Sequence, residues 1–256
     1  MRKYLQAYQE MFQCDIIPDD NVRRFVNAHI LIDLYLPDSA AFFYVVKYPD
    51  GKYNFLGKQQ EHVSGYSNEE FKAGGVELFL KCIVPEQIDF ILQGVYPDIL
   101  AFVSGLPDDE AKKRVLIQYN YRFKRKDGQF INLLEHVHIL ELDSAGRPAI
   151  VMGNVIMLQD ADIQPVRLTI KQLNGQGVSE TVLSKVYSAL QTEQNISTRE
   201  MEILRHLALG KSSKEIGRQL FISRHTVDTH RRRLLKKTGS SSVVELTRIA
   251  FRNNLL

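Results

Sequence analysis

The sequence predicts an α+β chain, in which an antiparallel sheet with helices is followed by an all-α unit of four short helices. Three observations predict it. Runs rich in aromatic and β-branched residues near 41–48, 115–124, 129–142 and 148–158 are separated by turn dipeptides. The spacing Ser-x-x-Glu recurs three times after residue 196. Charge is divided sharply along the chain: residues 197–256 carry 13 Lys+Arg against 5 Asp+Glu, a net +8, which leaves 20 against 25, a net −5, for residues 1–196.

At 256 residues the chain is long enough for two cores. Residues 1–36 read as a helical N-terminal extension, with Phe25, Ile30, Leu31 and Leu34 near helical spacing. The segment 37–160 follows as the sheet domain, 161–195 as a connector with its own Asn174-Gly175-Gln176-Gly177 turn signature, and 196–256 as the helical domain. The early charges Arg2, Lys3 and Glu10 interrupt any apolar run, so neither a secretory signal nor a membrane span is readable, and a cytoplasmic location is expected. Cys14 and Cys82 lie far apart without CxxC spacing, which argues for reduced thiols over a disulfide framework, a thiolate metal site or an iron–sulfur cluster.

Within the first domain, the strand beginning at Ala41 runs into Pro49-Asp50-Gly51, the start of a hairpin. Residues 65–106 read as short helices, with Ser67 and Glu70 as a capping box and Pro85 in a helix first turn. Lys126-Asp127-Gly128 and Asp143-Ser144-Ala145-Gly146 separate the last three strands into a meander. In the middle strand, Ile131, Leu133, His136, His138 and Leu140 do not alternate cleanly, which predicts a bulge or burial on both faces.

In the second domain Ser197 with Glu200, Ser212 with Glu215 and Ser242 with Glu245 punctuate three helix starts, and Ser223 caps a fourth. Gly210 and Gly239 sit where helix C-termini favour a left-handed residue. Helices are expected at 198–209, 213–221, 224–237 and 243–253, with only Phe221-Ile222-Ser223 between the second and third, the spacing of a helix-turn-helix. Winding the third helix puts Val227, Leu234 and Thr238 on an inner side flanked by His230 and Leu235. The outer side then carries His225, Asp228, Thr229, Arg232, Arg233 and Lys236, a row suited to the major groove, where Arg pairs with guanine and Asp accepts from cytosine.

Ile196-Ser197-Thr198-Arg199-Glu200, Leu204, the run 207–216 (Leu-Ala-Leu-Gly-Lys-Ser-Ser-Lys-Glu-Ile), Leu220, Ile222-Ser223, Thr226-Val227, His230, Leu234, Lys237 and Glu245-Leu246 together resemble the LuxR/GerE-type DNA-binding domain. The resemblance implies base contacts from Asp228, Thr229 and Arg232, and phosphate contacts from Lys214, Ser223, Arg231 and Lys237. His225, Arg233 and Lys236 on the outer row join the phosphate set. It also implies pairing through the last helix, here Val243, Leu246, Ile249 and Ala250, on palindromic DNA as a homodimer. The chain departs from the commonest family pattern at Asp228, where Lys is frequent, and at Ser240-Ser241-Ser242, where an Arg-containing turn is frequent.

The first domain resembles a PAS domain over about 42–158, on the landmarks Gly65-Tyr66-Ser67-Asn68-Glu69-Glu70-Phe71, Ile83-Val84-Pro85-Glu86 and 121–128. Such a half-barrel encloses a small-molecule ligand or serves dimerisation, and both readings stay open here. No cofactor is expected: neither cysteine has the context of a flavin-reactive thiol, and no His lies between His62 and His136 to ligate haem. No metal site is expected either, because His136 and His138 share a strand face without a third ligand. The autoinducer-binding alternative uses Trp residues, and the chain has none. No phosphate loop, nucleophile elbow or HExxH motif supports an enzyme. The expected function is therefore a one-component transcription regulator binding double-stranded DNA. A protein-interaction adaptor with weakened sequence readout is the alternative, motivated by Asp228 and the serine run.

Overall fold

The structure, a computed structural model, describes residues 1–35, 39–48, 51–158, 165–173, 178–187 and 196–252, the side chains of Ala250 and Arg252 excepted. The chain divides into two compact units, Met1–Ser184 and Lys185–Leu256.

The first unit begins with α1 (Arg2–Met11) and α2 (Asp19–Tyr35). Then come β1 (Ala41–Lys47), β2 (Lys52–Leu56), α3 (Gln60–Ser64), α4 (Asn68–Cys82), α5 (Pro85–Phe90), a π-helical turn at Ile91–Val95, α6 (Tyr96–Ser104) and α7 (Asp109–Lys113). It closes with β3 (Val115–Lys124), β4 (Phe130–Leu142), β5 (Pro148–Leu158), β6 (Val166–Leu173) and β7 (Ser179–Tyr187), whose last three residues fall within the bounds of the second unit. The sheet order is β2-β1-β5-β4-β3-β6-β7, and the register between β1 and β2, β1 and β5, β5 and β4, β4 and β3, and β3 and β6 is antiparallel. This is the antiparallel sheet with intervening helices that the sequence predicts. The expected connector 161–195 holds β6 and β7, two further strands of that sheet. Its Asn174-Gly175-Gln176-Gly177 signature and the Pro49-Asp50 part of the hairpin turn lie outside the described residues.

Strand β3 shows why the sheet forms: Val115, Ile117, Tyr119, Tyr121 and Phe123 alternate with half-buried or exposed neighbours, so one face is driven inward. On β4 the inward face is Leu133, Glu135, Val137 and Ile139, and the expected irregularity falls between Ile139 and Leu142, where the pairing with β5 slips. His136 and His138 lie on the other face, half-buried, with the Gln118 amide 2.9 Å from His136 Nε2. The Ser67–Glu70 capping box opens α4 and Pro85 opens α5. The N-terminal extension is helical, but its apolar spacing does not mark the buried face. Ile30, Leu31 and Leu34 of α2 are exposed, whereas Val22 and His29 are buried.

Tyr44 of β1 stands opposite Gly153 of β5, and Gly153 stands opposite Val137 of β4. A Cβ at position 153 would lie 2.0 Å from Cε1 of Tyr44. The missing side chain is therefore what lets the Tyr44 ring cross β5 toward β4.

The second unit contains α8 (Thr198–Ala208), α9 (Ser213–Gln219), α10 (Arg224–Thr238) and α11 (Val243–Arg252). Ser197 and Ser212 form reciprocal capping boxes with Glu200 and Glu215, and Ser223 caps through the Thr226 amide, as predicted. At α11 the box is displaced by one residue: Ser242 Oγ accepts from the Glu245 amide, but the Glu245 carboxylate accepts from Ser241 N and Oγ. Gly239 ends α10 in the left-handed region and Gly210 follows α8 at a positive φ. Met201, Ile203, Leu204, Ile216, Val227, Leu234 and Leu246 form the fully or nearly buried core that these helices share.

Glu200 ties this unit together. Its side chain is 3% exposed, and its carboxylate accepts from the Ser197 amide at 2.9 Å and from Lys237 Nζ at 2.7 Å, linking the start of α8 to the end of α10. Burial works to raise the carboxyl, but Lys237 and Ser197 outweigh it and hold it below the ordinary carboxylate range.

Two stability predictions follow from these contacts. Gly153→Ala should destabilise the first unit by about 1–3 kcal/mol through overpacking, read as a lower urea midpoint by tyrosine fluorescence. The cost should largely vanish when Tyr44 is already Ala, and equal costs in both backgrounds would refute the steric account. Because Glu200 titrates below its unfolded value, its contribution is complete above about pH 4.3, declines below that, and is gone under the lowered folded value. Glu200→Gln should cost about 1–2 kcal/mol near neutrality and flatten the acid limb of stability against pH, followed by the helical far-UV signal; an unchanged slope would exclude the role given to Glu200.

Candidate nucleic-acid interface and sensor cavity

The α9–α10 pair is a tight helix-turn-helix because three local features coincide. Phe221 adopts φ 55° in the turn, the Ile222 amide donates to the Gly217 carbonyl at 2.9 Å, and a Cβ at Gly217 would lie 2.7 Å from the Ile222 oxygen. Arg199 braces the same turn, donating from Nη2 to the Leu220 carbonyl at 2.7 Å. With Val227 and Leu234 fully buried beneath it, α10 turns its polar side outward.

On that side His225, Arg232, Arg233 and Lys236 are exposed and Asp228 and Thr229 are half-buried. Thr229 Oγ1 donates to the His225 carbonyl at 3.0 Å. Arg232 Nη2 lies 3.5 Å from the same hydroxyl oxygen, so the two candidate readers adjoin one another. Asp228 is engaged within the unit, 3.6 Å from both Arg224 Nε and Arg231 Nη1. A hydrogen bond from Ser213, then the charges of Arg224 and Arg231, keep its carboxyl below the usual range.

Of the expected phosphate contacts, Lys214 is exposed on α9, together with His225, Arg233 and Lys236 on α10. Ser223 is exposed, with its hydroxyl capping α10. Arg231 donates to Ser213 Oγ at 2.7 Å and Lys237 pairs with Glu200, so both serve the fold as they stand.

Of the expected pairing residues on α11, Leu246 does not face outward. Leu246 is fully buried in its own core, and Val243 and Ile249 pack half-buried against that core; the side chain of Ala250 lies outside the described residues. The outward apolar residues are Val244, 71% exposed, and Phe251, 59% exposed, which lie two helical turns apart on one side. Helical spacing from the buried Leu246 and half-buried Ile249 would have pointed to them.

The first unit encloses a cavity of about 60 Å³ between the inner sheet face and α1, α4 and α6. Tyr8, Phe12, Tyr44, Tyr48, Tyr53, Tyr96, Tyr119 and Tyr121 line it, together with Glu135. Register brings these groups together, since Tyr119 pairs directly with Glu135 and Tyr121 with Leu133. Tyr44 reaches over Gly153 and donates its hydroxyl to Glu135 Oε1. Tyr121 donates as well, and Tyr119 adds a third hydroxyl that also meets Tyr96.

Burial raises the Glu135 carboxyl above the ordinary carboxylate range, and the tyrosine donors offset part of that rise. Burial first, then the nearby Glu135 charge, pushes the Tyr44, Tyr53, Tyr96, Tyr119 and Tyr121 hydroxyls far above theirs, so they remain neutral donors. Sequence reading missed Glu135 because a charged residue on a strand reads as outward. Its parity with Leu133, Val137 and Ile139 was the available signal. Among the described residues no group of three or more His, Cys, Asp or Glu side chains gathers in a metal-ligating arrangement, and no helix is long and apolar enough to cross a membrane.

Comparison with known proteins agrees with the geometry of the second unit. Residues 194–250 match the family described as bacterial regulatory proteins, luxR family. Over 60 residues the chain is 47% identical to BvgA, a virulence-factor transcription regulator of Bordetella pertussis, covering 23% of this chain and 29% of BvgA. Over 138 residues it is 30% identical to the Fimbriae Z protein of Salmonella typhimurium, covering 49% of this chain and 66% of that protein. The chain thus spans less than a third of BvgA's length and just under two thirds of the fimbrial protein's. Among solved structures, VqmA of Vibrio cholerae aligns over 94% of this chain and 89% of its own at 15% identity and a TM-score of 0.34. The sensor domain of a Marinobacter aquaeolei diguanylate cyclase aligns over 46% of this chain and 94% of its own at 17% identity and 0.37. The likeness to the luxR family of bacterial regulatory proteins is thus confined to the C-terminal unit, over residues 194–250.

Proposed function

We propose that this protein is a DNA-binding transcription regulator that docks α10 in the major groove as a homodimer, with the first unit sensing a small molecule. One observation carries the DNA reading. A family-matched helix-turn-helix presents exposed His225, Arg232, Arg233 and Lys236 directly opposite the buried Val227 and Leu234. Thr229 and Arg232 supply base contacts, and Asp228 joins them where it leaves its arginine partners for a cytosine. Lys214, Ser223, His225, Arg233 and Lys236 hold phosphates, and the outer side of α11 with Val244 and Phe251 pairs the two copies. A cytoplasmic location and the absence of catalysis accord with this role.

A second reading, an interaction adaptor with reduced sequence readout, draws on the internal pairing of Asp228 with Arg224 and Arg231.

Footprinting over the protein's own upstream region at several salt concentrations separates the two. Arg232→Ala should lose about 1–3 kcal/mol of discrimination at one base position. Lys214→Ala should weaken all sequences alike and lower the salt slope by about 1. Binding that Arg232→Ala leaves equally selective would favour the adaptor, and the lack of any salt-sensitive binding would exclude the regulator.

A further inference from the structure

We propose that the cavity of the first unit is a receptor site for a small organic cation, an ammonium group of a few heavy atoms, held by the Glu135 carboxylate within the surrounding tyrosine rings. The inference rests on the reading of the first unit as a sensor and is independent of DNA binding by the second.

The argument begins with charge. Glu135 is 3% exposed, and among the described residues no Lys, Arg or His pairs with it. A buried carboxylate without a counter-charge is costly, and phenol hydrogen bonds recover only part of that cost. Tyr44 and Tyr121 are placed to donate toward it, and a cationic guest would supply the counter-charge that keeps the carboxylate ionised. A negative charge fixed at the wall of an enclosed cavity selects against anions and favours a positive guest.

Shape and lining narrow the guest further. Rings from β1, β2, β3 and α6 surround the carboxylate, with Tyr44 and Tyr53 edge-on at 5.5 Å and Tyr96 and Tyr119 edge-on at 6.0 Å. Aromatic faces attract a desolvated cation through their quadrupoles, and cages of this composition suit alkylated ammonium groups. A volume of about 60 Å³ is several times the roughly 10–15 Å³ that one water requires, which leaves room for about four or five heavy atoms. An inorganic ion would leave that volume and the rings unused. A bulky metabolite would have to displace Tyr8 and Phe12, which pack on Tyr48 and Tyr96 at ring separations of 4.3–6.3 Å. Because Tyr8 belongs to α1 and Phe12 caps its C-terminus, occupancy of the cavity is in contact with the N-terminal helix.

The test uses the purified full chain, whose lack of Trp makes its near-UV spectrum a report on tyrosine. Titration with trimethylammonium and tetramethylammonium should perturb that spectrum saturably and raise the urea midpoint. The neutral isostere tert-butanol should do neither. Glu135→Gln, which keeps the shape and removes the charge, should weaken cation binding by about tenfold or more.

Equal binding of tert-butanol and the cations would overturn the assignment of ligand class while leaving a small-molecule sensor. Undiminished cation binding by Glu135→Gln would overturn the role of the carboxylate. Absence of saturable cation binding to a wild-type chain that still footprints DNA would overturn the proposal and leave the regulator standing. If Glu135→Gln fails to fold, the wild-type preference for tetramethylammonium over tert-butanol decides the matter alone.

Discussion

Taking a carboxylate out of water costs several kcal/mol unless its oxygens find donors or a counter-charge, and the buried Glu200 and Glu135 meet that requirement in different ways. In the helical unit Glu200 is answered twice, by the Ser197 amide and by Lys237, and the answer joins the first helix to the third. In the sheet unit the donors that reach Glu135 among the described residues are phenols. The requirement to reach it explains the absence of a side chain at Gly153, the direction of Tyr44 and the concentration of tyrosine on the inner sheet face. One carboxylate is thus closed off as a structural tie, and the other is left facing a cavity.

Features that depend on near neighbours in the chain were legible in the sequence. The boundaries of β3, β4 and β5 follow from alternation and turn dipeptides, and the starts of α4, α8, α9 and α10 follow from a hydroxyl placed three residues ahead of the amide it caps. The outward row of α10 is a consequence of helical period once Val227 and Leu234 are taken as core.

What was not legible depends on partners distant in sequence. Glu135 looks outward until the register with Tyr119 and the crossing of Tyr44 are known. Arg231 and Lys237 look available to phosphates until Ser213 and Glu200 are found beside them, 18 and 37 residues away. Leu246 looks like one of a set of surface apolar residues on α11 until its burial separates it from Val244 and Phe251. The α2 residues Ile30, Leu31 and Leu34 show the opposite failure, since helical spacing of apolar residues was present where burial was not. Periodicity reports that a face exists, and only packing decides which face is covered.

The same distinction governs the electrostatics of the helical unit. Its net +8 is a property of composition, but several of its cations are spent inside the unit: Lys237 on Glu200, Arg199 on Glu202 and the Leu220 carbonyl, Arg231 on Ser213 and Asp228, and Arg224 in part on Asp228. Counterion release scales with the phosphates neutralised and not with formal charge, so in the proposed DNA complex the groups that would set affinity are the exposed ones, Lys214, Arg232, Arg233 and Lys236 among them. The internal pairs act on geometry instead. By fixing α10 against α8 and α9 they hold the Thr229–Arg232 edge at one angle to the core, a rigidity that the proposed base readout would need more than additional charge. Asp228 belongs to both systems, because the carboxylate that could accept from a base also orders two arginines. A lysine at this position would remove that order and, under the proposed DNA-binding role, add a phosphate contact in its place.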